Sequence, residues 1–274
     1  MRQVPLYEGA QNKSYYKFLK EIQTVPQEEI ERIKTLRGNP DIAPKFADRA
    51  VIQTEKYTPV PEGVYIMKDG TIFLSAITPI PDITGEMLEW WMLWHQFDPL
   101  RYALWNPEDH FDVKLNEKDK ARFLDTSIPI RERIWGTTSC ISESWNGDNP
   151  TAGELHFKAP SDVGLKNELV GTPKCKAIIC ANNCTKIGPF NYPVLMCEYV
   201  RENDEGKNEW VVAAWMGHGV KDGKDITFKL PKFLLNKLAS SMPAMFIAHN
   251  HKEVSHLNEI LPSLYAEQKD NWLE

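Results

Sequence analysis

Between residues 131 and 230 the hydrophobic pattern reads mostly as β: short runs, some alternating with polar residues and some continuously apolar, separated by turn residues. RIWGTTSCISESW, GELHFKAP, CKAIICANN, PVLMCEYVRE and EWVVAAWMGHGV are the candidate strands, and NDEGKN joins the last two as a hairpin. Upstream, GVYIMKDGTIFLSAITPIP reads as two strands joined by an Asp-Gly turn, a strong hairpin signal. Elsewhere the period is helical. TGEMLEWWMLWHQF (residues 84–97) predicts a very aromatic helix with Thr84 at its N-cap and Glu86 in its first turn. MFIAHNHKEVSHLNEILPSLY (245–265) predicts an amphipathic closing helix that begins near Pro243 and tolerates Pro262 in its last turns. Residues 15–36 read as two helices broken before Pro26, followed by Pro- and charge-rich sequence to about residue 62. That order predicts an α+β fold: a small helical N-terminal region (1–62), then a domain (63–274) whose antiparallel sheet curls around a helix.

Composition narrows the function classes. The 274 residues carry a net charge of -6, and no cluster of Lys or Arg forms the basic stripe that a nucleic-acid groove needs. Apolar runs are too short to span a membrane, and MRQVPLYEGAQNKSYY has neither a signal-peptide core nor a lipidation motif, so a soluble cytoplasmic protein is expected. Five cysteines, three of them in CKAIICANNC, argue against a secreted disulfide framework. They lack the paired CxxC spacing of a thiolate metal site, and Cys175 and Cys180, five apart, would face opposite sides of a strand. Small buried hydrophobes are the simpler account of them.

The closing helix carries the candidate chemistry. His249 and Glu253 stand at i and i+4 and so share a face, continued by His256, Ile260 and Leu264, while His251 is turned about 200° away. Alone, such a pair is as compatible with a surface ion pair as with a metal, but its apolar company argues that it looks inward, where an unpaired charge is costly. In RIWGTTSCISESW, alternation puts Glu143 on one face with Trp135, Ile141 and Trp145, either a buried carboxylate in want of a cation or an edge residue in solvent. His110 lies in the Pro-containing loop RYALWNPEDH, where ligands are commonly placed, and His218 sits at a strand end flanked by glycines that permit close approach. His95 fits a core or last-turn helix histidine, and His156 a solvent one.

Taken together, DGTIFLSAITPIPDITGEMLEWWMLWH, RYALWNPEDH, WMGH and HNHKEVSHLNEILPSLY resemble the diacetylphloroglucinol hydrolase family, which includes phloretin hydrolase, over about residues 60–265. The resemblance implies a homodimer with a Bet v 1-like helix-grip domain whose cavity holds a zinc ion bound by two histidines and two glutamates. Residue by residue, His249 and Glu253 match the helical pair, His110 the histidine closing RYxLWxPxxH, and Glu143 the strand glutamate by order and spacing. Tyr102 matches a tyrosine that contacts a phenolic oxygen, and His218 resembles the family's GH histidine, placed in the cavity as the candidate for proton transfer, with His256 a partner to the ligands.

The reaction so implied is hydrolysis of the carbon-carbon bond between an acyl group and a phloroglucinol ring. Its substrate would be phloretin, giving phloroglucinol and 3-(4-hydroxyphenyl)propanoate, or 2,4-diacetylphloroglucinol, giving monoacetylphloroglucinol and acetate. Such a bond breaks when the ring carbon can leave as an enolate of the keto tautomer. The rival classes are a carrier that holds apolar aromatic ligands in the same cavity without chemistry, and a zinc peptidase, for which an HExxH motif is missing.

Overall fold

The computed structural model describes residues 4–274 apart from 146, 148 and 188. Its N-terminal stretch holds α1 (Gln27–Thr35), which starts after Pro26, and short 3-10 turns at Ala10–Asn12, Tyr16–Phe18 and Phe46–Gln53. The first of the two helices expected over 15–36 is therefore a single turn. Ile22, Thr24 and Val25 are β-branched and lead into a proline, and both features favour extended backbone there. Then come β1 (Gly63–Ile66), β2 (Ile72–Pro79), α2 (Gly85–Trp94), α3 (Pro99–Trp105), β3 (His110–Leu115), α4 (Glu117–Leu124), α5 (Ile130–Arg133), β4 (Thr138–Glu143) and β5 (Thr151–Lys158). β6 (Ala177–Ile187), β7 (Phe190–Glu202), β8 (Asn208–Met216), β9 (His218–Lys221), β10 (Lys224–Thr227), α6 (Lys232–Ala239) and α7 (Met242–Gln268) complete the chain.

Eight strands form one antiparallel sheet in the order β1-β2-β8-β7-β6-β5-β4-β3, and β9 and β10 pair as a separate ribbon. The fold is α+β as expected, with the sheet wrapped around the closing helix. Strand alternation sorts β8 into two cores: Trp210, Val212, Ala214 and Met216 face inward, and Val211, Ala213 and Trp215 face outward. The inward set packs in one cluster with Ile247, Val254, Leu257 and Ile260 of α7. The outward set is covered by Phe46, Ile52 and Val60 from the N-terminal stretch. A sheet covered on both faces explains why VVAAWM has no polar alternation at all.

Local caps agree with the sequence. Thr84 Oγ1 accepts from Met87 N at 3.2 Å to start α2, and Asp98 Oδ1 accepts from Leu100 N at 2.7 Å to start α3. Pro243 sits in the first turn of α7 and Pro262 inside it. The strand in RIWGTTSCISESW is shorter than expected: it begins at Thr138, because Gly136 (φ 78°) turns the chain and leaves Trp135 before the sheet.

Candidate active site

His110 and Glu143 meet because of register: they are direct partners across β3 and β4, just beyond a bulge between His110 and Asp112. α7 crosses this end of the sheet and presents His249 and Glu253 to the same point. Glu253 Oε2 lies 3.0 Å from His249 Nε2 and 3.1 Å from His110 Nε2, and Glu143 Oε1 lies 3.9 Å from His110 Nε2. His110, Glu143 and His249 each offer a donor atom within 4.8 Å of the others, so this group could hold a metal ion. The spacing suits one: donors about 2.1 Å from a tetrahedral ion stand roughly 3.4 Å apart. All but Glu143 are buried, and Glu143 keeps some exposure on the cavity wall.

Burial and charge compete here. Burial disfavours a charged His249, but Glu253, Glu143 and Asp109 win and hold it protonated; burial likewise opposes the Glu253 carboxylate, which His249 and His110 keep ionised. Glu143, whose dominant influence is burial, is pushed up to about 7. His110 is lowered, burial outweighing its hydrogen bond with Glu253. Behind the histidines lies a buried ion cluster. Lys252 Nζ is 2.7 Å from Glu108 Oε2 and 2.8 Å from Asp109 Oδ2, and Ser144 Oγ donates to Asp109 Oδ1 at 2.5 Å. Asp109 Oδ2 in turn stands 3.8 Å from His249 Nδ1, which has no closer partner among the described residues. The cluster ties α7 to the loop before β3, and thus fixes both histidines relative to each other.

The group opens into a cavity of about 550 Å³ whose apolar wall includes Leu74, Met92, Ile141, Met196, Met216 and Phe246. Trp145 stacks on His249 (ring centroids 6.0 Å apart). Tyr102 is sandwiched between His95 and His110, at 5.5 and 4.1 Å, and its hydroxyl donates to Glu143. His95 Nδ1 lies 2.8 Å from the Trp91 carbonyl, so it must be the donor, and burial lowers this ring to about 3 and keeps it neutral. Glu198, on the inner face of β7 after Val194 and Met196, also reaches the cavity and accepts from Trp210 Nε1 at 3.1 Å. Sequence reasoning missed it, although the alternation that singled out Glu143 applies equally to PVLMCEYV. Among the described residues, β5 and β6 pair only at Phe157–Ala181 and Lys158–Cys180; beyond that they part, and Thr151–Leu155 and Asn183–Lys186 line the parting.

His218 does not join the cavity. Along β8, positions 214 and 216 face inward, and simple alternation would carry 218 with them. Gly217 (φ 94°) breaks the alternation and turns His218 onto the outer face, stacked on Phe46 at 4.5 Å, with Nδ1 3.0 Å from Thr227 Oγ1 and Nε2 3.4 Å from Asp69. The expectation that His218 works in the cavity is corrected accordingly. His256 faces the Leu104 backbone rather than a ligand, and burial lowers it to about 4. His251 points away from the cluster, as its helical angle requires, to Thr78 and Glu62. His156 lies on the outer side of β5 beside Glu154. Cys175 and Cys180 share the outer core with Cys197, because Cys175 precedes β6 and escapes strand alternation; Cys184 is exposed.

Residues 42–266 match the family model described as the DAPG hydrolase PhiG domain. The chain is 31% identical over 278 aligned positions to a phloretin hydrolase of Eubacterium ramulus, covering 98% of this chain and 95% of that one. It is 23% identical to a 2,4-diacetylphloroglucinol hydrolase of a Pseudomonas species (94% and 90% covered) and 24% identical to that of Pseudomonas protegens (94% and 86%). A solved structure, Ara h 8.0201, overlaps 68% of this chain and 97% of its own at 11% identity and a TM-score of 0.33.

Proposed function

Because the chain belongs to the DAPG hydrolase family, we propose that it hydrolyses the aryl-acyl carbon-carbon bond of C-acylated phloroglucinols. The observation that carries the reading is the convergence of His110, Glu143, His249 and Glu253 at the wall of a largely apolar cavity large enough for a drug-sized aromatic. Two imidazoles and two carboxylates form a donor set suited to zinc, with Glu253 as the fourth ligand, and the His249 proton is the one that metal binding would displace. Bound there, zinc supplies Lewis acidity toward an oxygen and lowers the pKa of water.

The protein's own groups do the rest. Tyr102, held flat between two imidazoles, positions Glu143 and binds a phenolic oxygen of the ring. His95, fixed as a neutral ring beside Tyr102, keeps that end of the cavity free of a competing cation. The largely apolar walls favour protonation of the acyl-bearing ring carbon by a placed group over protonation by solvent.

Of the two substrates, phloretin is favoured. The phloretin hydrolase is the more similar relative, and the parting of β5 and β6 offers room for a long arylpropanoyl arm. We further propose a homodimer formed through residues 1–62, and a cytoplasmic location, which suits five unpaired thiols; no helix among the described residues is long and apolar enough to cross a membrane. The test is to incubate the protein with phloretin and with 2,4-diacetylphloroglucinol, with and without prior chelation, and to follow the released phloroglucinols by chromatography. Chelator-sensitive release of phloroglucinol from phloretin is expected; zinc-loaded protein that releases nothing from either substrate would overturn the reading.

A further inference from the structure

With His218 on the outer face, the proposed reaction lacks a group that moves protons, and the cavity contains a carboxyl that no other role employs. Glu198 projects from β7 into the cavity. The Trp210 indole donates to Oε2 at 3.1 Å, which orients the carboxyl and leaves Oε1 for a ligand. No lysine or arginine among the described residues pairs with it, and an ionised carboxylate without a cation is costly in such a wall. Resting on the carbon-carbon hydrolase reading, we propose that Glu198 carries the protons of the reaction, giving one to the acyl-bearing ring carbon and taking one from the attacking water.

The support is chemical as well as geometric. Burial, with Glu253 and Glu143 across the cavity, pushes Glu198 up to about 8 against the opposing effects of the Trp210 bond and His249. Burial in this wall favours the protonated form, so the carboxyl can give a proton and take one back. The steps balance. A substrate phenolate takes the Glu198 proton at the acyl-bearing carbon; a ring π pair forms the new C–H bond, and the phenolate oxygen becomes a ketone. Water then adds to the acyl carbonyl and yields a proton to the Glu198 carboxylate, leaving a tetrahedral alkoxide. As that alkoxide collapses to a carboxylic acid, the pair of the C–C bond passes to the ring, which departs as the phenolate of the deacylated phloroglucinol. Water is consumed, and Glu198 ends protonated as it began.

Glu198→Gln keeps the shape and the acceptor for Trp210 but has no proton to give. We expect kcat on phloretin to fall by about 100- to 1,000-fold, with KM within a few-fold and zinc content unchanged. The same variant should also lose the enzyme-catalysed exchange of phloroglucinol ring hydrogens for deuterium in heavy water, followed by NMR, which needs only the carbon-protonation step. Wild-type turnover with E198Q within about threefold of it would overturn the role of Glu198 alone. Absence of turnover by the zinc-loaded wild type would overturn the reaction class and this role together. Loss of zinc by E198Q would make Glu198 part of the metal site and also overturn it. Should E198Q not fold, Glu198→Asp decides: it retains an acid and must keep ring exchange above background, and a folded, zinc-loaded E198D without exchange would refute the proposal.

Discussion

The two faces of the sheet each hold a histidine stacked on an aromatic ring with an acid nearby, and only one of them makes a site. Inside, His249 lies on Trp145 and shares Glu253 with His110, in a space lined by apolar side chains. Outside, His218 lies on Phe46, spends Nδ1 on Thr227, and meets Asp69, a carboxylate with 48% of its side chain exposed. The parts are alike; the difference is convergence. A second imidazole, a second carboxylate and an apolar cavity make of a buried ion pair a group that could hold a metal, whereas a single half-solvated acid leaves its histidine a packing residue.

The largest test of that contrast is His249→Ala. It should lose the bound metal, read by elemental analysis, and with it several kcal/mol of transition-state stabilisation, about a thousandfold in kcat/KM. Retention of metal at one per chain would mean that the inner group is not the chelate. Next is Lys252→Met, which leaves Glu108 and Asp109 buried without their cation. Breaking a buried ion cluster costs about 3–5 kcal/mol, read by urea unfolding, and loosening Asp109 behind His249 should weaken metal affinity roughly 10- to 100-fold. Unchanged metal affinity in a folded K252M would separate stability from the site.

A third histidine sharpens the comparison from the side of burial alone. His256 is buried, lies on α7 with His249, meets no acid among the described residues, and is lowered by burial to about 4 from an ordinary value near 6.5. The fold accepts its neutral form, so as pH falls below about 6.5 the unfolded chain takes up the proton first, and stability from this group is lost between about 6.5 and 4. Wild type should therefore lose about 2 kcal/mol more than His256→Gln between pH 7 and pH 5, measured by urea unfolding at both. Parallel losses in the two proteins would show that His256 is not the group responsible. The smallest effect belongs to His218→Ala: about 1 kcal/mol of stability from the lost stack and hydrogen bond, with turnover within about twofold of wild type. A hundredfold loss of turnover with full metal content would return His218 to the chemistry and undo the contrast.

Much of this was legible in the chain. The Asp-Gly hairpin, the Thr84 cap, the Pro243 start of the closing helix and the alternating strands depend on neighbours two to four residues apart, and local geometry sets them. The pairing of His249 with Glu253 has the same origin. Alternation along β7 places Glu198 on the inner face, but a lone glutamate in a strand carries no motif that would mark it. Alternation alone misplaces His218, because one left-handed glycine, Gly217, turns it to the other face. Nothing short of the folded chain could show that β5 and β6 part to form an opening, or that Lys252 of α7 reaches Asp109, 143 positions away.

What the sequence determined by itself was the kinds of element, their order, and the side chains able to bind a metal or move a proton. Tertiary structure decided which of them meet. The β3–β4 register sets His110 opposite Glu143, the crossing of α7 brings His249 and Glu253 to them, and Gly217 sends His218 to the other face. Periodicity is a property of nearest neighbours along the chain, whereas convergence depends on strand register and helix packing between residues far apart in it.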